Sequence, residues 1–343
     1  MKRSLLFAAI GVVAVGLLTV LAGGGASGSS ARGLHGEVWV TNKSLNTVAV
    51  FDASSGQVLA NIAVGSTPIG VTIPKGTHKA YVSNEGSNTV SVIDTDSFAI
   101  IKTIAMGAGP HHMMAGPDGK RIYVGEYNAN TVGVIDTTAD EEIARYATSP
   151  NPVAKTHAVY VTDDGATLYA TDFATNELVV LDAQTGAIEW RLHLSGSPSE
   201  ALVTSDRKTA YVSIRSRDSV AVIDLQSHSL IAEKWVGTMP DTLQLTPDGK
   251  RLVVTLRGTP AQISVLDTSS LETNLIDLAG STTGHHWLSA GGRYSFVAVE
   301  GPGGLALVDN ETGRTVTTFA YPGGGKPHGV FFWPQGGDEN ASD

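Results

Sequence analysis

The residues best suited to chemistry in this 343-residue chain are its ten histidines, because five of them share a spacing. His111, His112, His157, His285 and His328 each stand one or two positions after a Pro or Thr that opens a short apolar segment: Pro110, Thr156, Thr283 and Pro327. Neutral imidazole is a preferred ligand for copper, zinc, iron and nickel, and carboxylates can complete such a donor set. Asp241 and Glu200 supply those carboxylates from the same two slots after Pro240 and Pro198. Several imidazoles facing one point would repel when protonated, and a bound metal relieves that. His112 could also act without metal, as a general acid or base. The chain has no cysteine, which excludes thiolate ligands, thiolate nucleophiles, disulfides and acylation at an N-terminal cysteine. A net charge of -10 argues against binding held by nucleic-acid phosphates.

Residues so far apart in sequence can meet only if a repeating architecture gathers them. An alternating apolar segment closes on aspartate seven times, at Asp52, Asp94, Asp136, Asp182, Asp224, Asp267 and Asp309. An earlier apolar segment precedes each, carrying Trp39, Tyr81, Tyr123, Tyr169, Tyr211, Val253 or Phe296. Period-two alternation, β-branched residues and frequent turns predict four short strands per unit. Units of about 40 to 45 residues with four strands are propeller blades. The expected fold is therefore an all-β, seven-bladed propeller of four-stranded blades. The segment 327–333 reads as an inner strand that joins the N-terminal blade and closes the ring. The aspartates fit turn chemistry, in which Asp bonds its own downstream backbone.

Inner strands line a propeller's central channel, and their starting ends meet at one mouth. The two residues after each strand opener, read around the ring, are Ile69-Gly70, His111-His112, His157-Ala158, Ser199-Glu200, Asp241-Thr242, Gly284-His285 and His328-Gly329. Half of the chain's histidines fall in these 14 slots. If neighbouring strand residues point in opposite directions, the slots form two sets. One is His111, His157, His328 and Asp241; the other is His112, His285 and Glu200. His286 follows a slot and could join them, whereas His35, His78, His193 and His228 read as surface residues. Loops after the second strand should crowd the same mouth and supply Glu85, Glu126, Asp172, Arg215, Arg257 and Glu300. Carboxylates there could orient metal-bound imidazoles, or the arginines could clamp an acidic substrate.

The segment 81–94, YVSNEGSNTVSVID, resembles the consensus of the YVTN family of β-propeller repeats, and the likeness runs over roughly residues 35–333. It implies the fold and leaves the activity open, since a fold hosts chemistry without dictating it. The segment 107–113, GAGPHHM, is similar to the Gly-x-Gly-Pro-Arg-His segment of 6-phosphogluconolactonase-like propellers. His112 matches their histidine, while His111 stands where they carry arginine. The histidine-lined inner strands also resemble the propeller of nitrous oxide reductase, which holds a multinuclear copper centre. This chain has fewer histidines in those slots and no cysteine-bearing copper domain.

The N-terminus reads as an address. Lys2 and Arg3 precede an apolar run over residues 5–22 and a Gly/Ser-rich stretch, the three parts of a secretory signal. If uncleaved, that run is long enough to anchor the chain in a bilayer. Residues 1–33 are thus expected to be signal or anchor plus linker, 34–335 the propeller and 336–343 a polar tail. The expected protein is an exported, periplasmic or extracellular monomer with a copper or zinc site at one channel mouth, for metal carriage or metal-assisted chemistry. A non-catalytic scaffold for a partner protein, or a cofactor-free lactonase or lyase using His112, are the alternatives.

Overall fold

The structure, a computed structural model, describes residues 34–334. The expected signal segment and polar tail lie outside the described residues. Twenty-eight strands form seven four-stranded antiparallel sheets, each a blade. Their inner strands are Pro68–Thr72, Pro110–Ala115, Thr156–Val161, Pro198–Val203, Pro240–Leu245, Thr282–Leu288 and Pro327–Pro334. The last pairs with Gly36–Asn42, so the C-terminal strand completes the N-terminal blade and closes the ring. No helix among the described residues is long and apolar enough to cross a membrane.

Apolar residues fill the spaces between blades. Trp39, Val48 and Val50 of the closing blade pack on Val71, Ala80, Val82 and Ile93 of the next. Tyr81, Val90 and Val92 then pack on Ile122, Val124 and Ile135. All seven strand-closing aspartates accept backbone N–H groups two or three residues downstream, as in Asp52 with Ser55 at 2.8 Å. They are turn formers.

Every inner strand starts irregularly. The ladder with the second strand breaks between Pro68 and Val71, Pro110 and Met113, Thr156 and Ala158, Pro198 and Ala201, Pro240 and Leu243, and Thr283 and His286. In the closing blade the break separates the Val40–Val330 and Asn42–Pro327 pairs. Such bulges leave residues outside the ladder and re-aim their side chains. The residues left out are the histidine-bearing slots.

In five blades a hydroxyl from the second strand replaces the missing ladder bond. Thr41, Ser83, Thr171, Ser213 and Thr255 accept from Gly329, Gly70, Ala158, Glu200 and Thr242 N–H respectively. The first four also donate to the next blade, reaching the carbonyls of Ile69, His111, Ser199 and Asp241. One hydroxyl therefore satisfies a bulge and clips two blades together. Some slots have no room for a side chain: a Cβ on Gly329 would lie 2.1 Å from the Ile69 carbonyl oxygen.

Removing a clip leaves a buried amide and a buried carbonyl without partners. Ser213→Ala is expected to cost about 1–3 kcal/mol of stability. Ser54→Ala, in an exposed turn, should cost no more than about 0.5 kcal/mol. Urea unfolding of both variants checks this, and equal midpoints would refute the role given to the clip.

Candidate functional site

The five slot histidines form one continuous cluster. Ring centroids lie 4.5 Å apart for His111–His157, 4.8 Å for His111–His112 and His112–His157, 4.4 Å for His112–His285 and 4.1 Å for His285–His328. The expected division into two opposed sets is therefore corrected. His111 and His112 sit together in a bulge, where strict alternation lapses, and their rings stack. His111, His112 and His157 are buried, and one ring nitrogen from each lies within 4.8 Å of the others.

Hydrogen-bond partners fix two tautomers. His157 Nδ1 lies 2.8 Å from the Ser199 carbonyl, which can only accept, so Nδ1 carries the proton and Nε2 keeps its lone pair. His328 Nδ1 lies 3.1 Å from Arg257 Nη1, which can only donate, so this lone pair is occupied and Nε2 holds the proton. His111 Nδ1, His112 Nε2 and His285 Nε2 are buried without a protein partner.

Burial dominates the protonation of these rings. It pushes His111, His157, His285 and His328 well below the usual imidazole range, helped in each by the charge of a neighbouring histidine. Burial also takes His112 down to about 4, with Asp241 opposing and Arg215 and Arg257 assisting. At neutral pH the cluster is uncharged, the state a metal ligand needs.

A second ring of side chains crowns the cluster. It comes from the residue four positions after each second-strand landmark: Lys43, Glu85, Tyr127, Phe173, Arg215, Arg257 and Glu300. Glu85 Oε2 stands 3.7 Å from His111 Nε2. Tyr127 stacks on His111 at 5.2 Å and Phe173 on His157 at 5.4 Å. Arg215 Nη2 donates to Asp241, and Arg257 lies 3.8 Å from Asp241 and 3.4 Å from Glu300. Burial alone would raise the Asp241 pKa, but Arg215 and Arg257 together hold it well below the carboxylate range. Burial brings Lys43 down to about 8, with Arg257 adding to the effect.

Of the six loop residues expected at this mouth, four are in the crown. Glu126 and Asp172 stand one position earlier and turn into the blade edges. Glu126 accepts from Gly107 N–H and the Thr131 hydroxyl, and Asp172 accepts from the amides of Lys155, Ala174 and Thr175. Sequence reasoning chose them because they are charged and thereby missed Lys43, Tyr127 and Phe173. Counting a fixed offset from the landmarks, regardless of residue type, would have found all three.

Glu200 turns its carboxylate to the backbone of the next blade. Its Oε2 accepts from Leu243 N–H at 3.0 Å, and burial pushes its pKa up to about 8. It lines, with His112, a cavity of about 1070 Å³ whose other walls include Tyr160, Met114, Trp287 and Phe331. Pro74, Pro117 and Pro247 border that cavity, so it opens on the face opposite the crown. His286 stands apart, its Nδ1 3.2 Å from the Thr242 hydroxyl, and burial takes it down to about 3. His35, His78, His193 and His228 are exposed, as expected.

The buried imidazoles make stability acid-sensitive. Their folded pKa values lie below the unfolded value, so the penalty is absent above about pH 6.5 and grows as pH falls, because the unfolded chain takes up protons first. For His286 this window extends from about 6.5 down to about 3. Each such group adds a slope of up to about 1.4 kcal/mol per pH unit. Glu200 acts oppositely, weakening the fold as pH rises from the usual carboxylate value towards about 8. Urea unfolding in chelator between pH 7.5 and 4.5 should show a steep loss, reduced by about one proton in His286→Asn. A flat profile would contradict neutral burial of the cluster.

Comparisons with known proteins agree with this architecture. A sequence search among curated proteins finds no match. Among solved structures, hydrazine synthase of Kuenenia stuttgartiensis aligns at 20% identity and a TM-score of 0.68, over 83% of this chain and 92% of that one. The periplasmic gluconolactonase of Pseudomonas aeruginosa aligns at 19% identity and 0.69, over 87% and 98%. A putative 6-phosphogluconolactonase from Bacteroides fragilis aligns at 19% and 0.70, over 88% and 99%. At these identities the likeness concerns the fold. Residues 75–331 match the YNCE-like β-propeller family, and the chain belongs to it.

Proposed function

We propose that this chain is an exported propeller that binds one copper or zinc ion through His111, His112 and His157, for metal carriage or metal-assisted chemistry. The carrying observation is the convergence of three buried, neutral imidazoles with ring nitrogens within 4.8 Å of one another, two of them having a nitrogen without a protein partner. Bonds of about 2.0–2.1 Å to such ions require small ring rotations to draw those nitrogens together. Ser199 would orient His157 through the Nδ1–H bond, the outer support that metal-bound imidazoles use. His285, beside His112 with a free Nε2, is the fourth candidate donor. His328 and Asp241 are poorer candidates, because Arg257 and the arginine pair already occupy their acceptor atoms, and Glu200 directs Oε2 to Leu243 N–H. Export is supported by the leader-like residues 1–33 and by the periplasmic location of the similar Pseudomonas aeruginosa gluconolactonase.

A cofactor-free lactonase is the second reading. His112 favours it, being the residue shared between the imidazole cluster and the cavity wall and neutral at physiological pH. Three structural relatives carry gluconolactonase names.

Metal content of the protein purified from its native compartment, followed by competitive titration of chelator-treated protein, tests the first reading. Stoichiometric copper or zinc is expected. His157→Ala should weaken binding beyond the roughly 10–100-fold that loss of a supporting residue costs, and His328→Ala should change it by less than about 3-fold. Absence of bound metal, or a His157→Ala variant that binds normally, rejects the reading. Lactone turnover that survives chelation and disappears in His112→Ala favours the second.

A further inference from the structure

The cavity on the face opposite the crown holds an acid that its own walls leave half engaged. Glu200 Oε2 accepts from Leu243 N–H in the next blade. The other oxygen, Oε1, has no hydrogen-bond or ion-pair partner among the described residues. It stays accessible, and the space beside it is the cavity that Glu200 lines. The tie between blades does not need an acid. One blade further on, Gln244 makes the same bond with an amide oxygen, accepting from Leu288 N–H at 2.8 Å. A carboxyl at position 200 therefore offers something beyond the tie, namely the capacity to carry charge.

The walls decide what can meet that charge. Met114, Tyr160 and Leu202 line the cavity on three successive blades, the last two residues beyond Glu200 on its own strand. Their strands are tied side by side: Met114 Sδ accepts from Val161 N–H at 3.5 Å, and the Tyr160 hydroxyl donates to the Val203 carbonyl at 3.1 Å. Tyr160 is half-buried, and no lysine or arginine lies over its ring among the described residues. An anion reaching the floor would find no cation there, since His112 is neutral and Lys75 stands exposed. A wholly apolar guest would cover Oε1 and leave it unpartnered, which is costly. An organic ammonium ion meets neither difficulty, because a carboxylate is its counter-ion and aromatic faces attract cations. Burial keeps Glu200 protonated at neutral pH, with the Asp241 charge adding to the effect, and an arriving cation would release that proton to water.

We propose that this channel cavity binds a small organic monoammonium ion, its N–H groups donating to Glu200 Oε1 and its apolar body resting on Met114, Tyr160 and Leu202. The proposal rests on neither reading of the histidine cluster. Amine binding and metal content are separate measurements on the same full-length protein, so the failure of one is distinct from the failure of the other.

The probe is 2-phenylethylamine, with 2-phenylethanol as its neutral counterpart and methylammonium as a cation without an apolar body. Calorimetric titration at low salt and neutral pH should show saturable binding of the amine. The alcohol should bind at least about tenfold more weakly, since a charge-assisted bond is lost. Methylammonium should also bind at least about tenfold more weakly, since it buries almost no apolar surface. Glu200→Gln keeps an acceptor for Leu243 N–H, as Gln244 does for Leu288, so its melting temperature should not fall. The same variant should bind the amine at least about tenfold more weakly, at the level of the alcohol. The proposal is overturned if the amine shows no saturation, or if the alcohol or methylammonium binds as tightly. It is equally overturned if Glu200→Gln binds the amine as well as the parent, which would leave Glu200 as a tie between blades.

Discussion

The structure depends on hydroxyl groups that clip bulges to neighbouring blades. A bulge deprives an inner strand of ladder bonds at the crowded centre of the ring, where water cannot readily replace them. Thr41, Ser83, Thr171, Ser213 and Thr255 each accept the stranded amide of their own blade. Four of them also hold the residue that follows the strand opener of the next blade. The same bulges turn two successive side chains towards the channel, and that is why five imidazoles from four blades can touch. Ser83 and Thr171 thereby brace the backbone at His111 and beside His157.

Electrostatics divides the mouth into two layers. Below, five rings remain neutral, because burial and nearby positive charge disfavour any proton added to them. Above, Asp241 stays ionised although buried, since two guanidinium groups compensate its lost hydration. Arg257 joins the layers by donating to His328 while pairing with Asp241 and Glu300. That bond occupies the His328 Nδ1 lone pair, whereas His111 Nδ1, His112 Nε2 and His285 Nε2 have no protein partner.

Much of the fold was legible because each blade repeats both its strand pattern and its Asp turn. The seven units, the strand order and the closing strand at Pro327–Pro334 follow from spacing alone. The slot histidines were legible for the same reason, since a repeat maps equal offsets onto equal places. Side-chain direction was not. Alternation sent His111 and His112 to opposite faces, but a bulge is a local break in pairing that no residue type announces. The crown failed differently: Glu126 and Asp172 drew attention by their charge, although their offset places them on blade edges. Tyr127 and Phe173 occupy the informative offset without an ionisable group that would mark them.

The triad also falls where the clip is missing. In the second blade the clip position is Gly125, and a Cβ there would lie 3.0 Å from the His157 carbonyl oxygen. A serine at this point could in principle supply the usual hydroxyl, but its Cβ would push the His157 backbone away from the second blade. Glycine gives up that bond and lets the two strands approach, bringing the His157 ring to 4.5 Å from His111 and 4.8 Å from His112. The lost tether is replaced on the other side, where His157 Nδ1 donates to Ser199 and so attaches itself to the fourth blade. Close approach and fixed tautomer thus arise from one local exchange: a backbone clip is surrendered, and the imidazole that gains by it becomes the tie between blades.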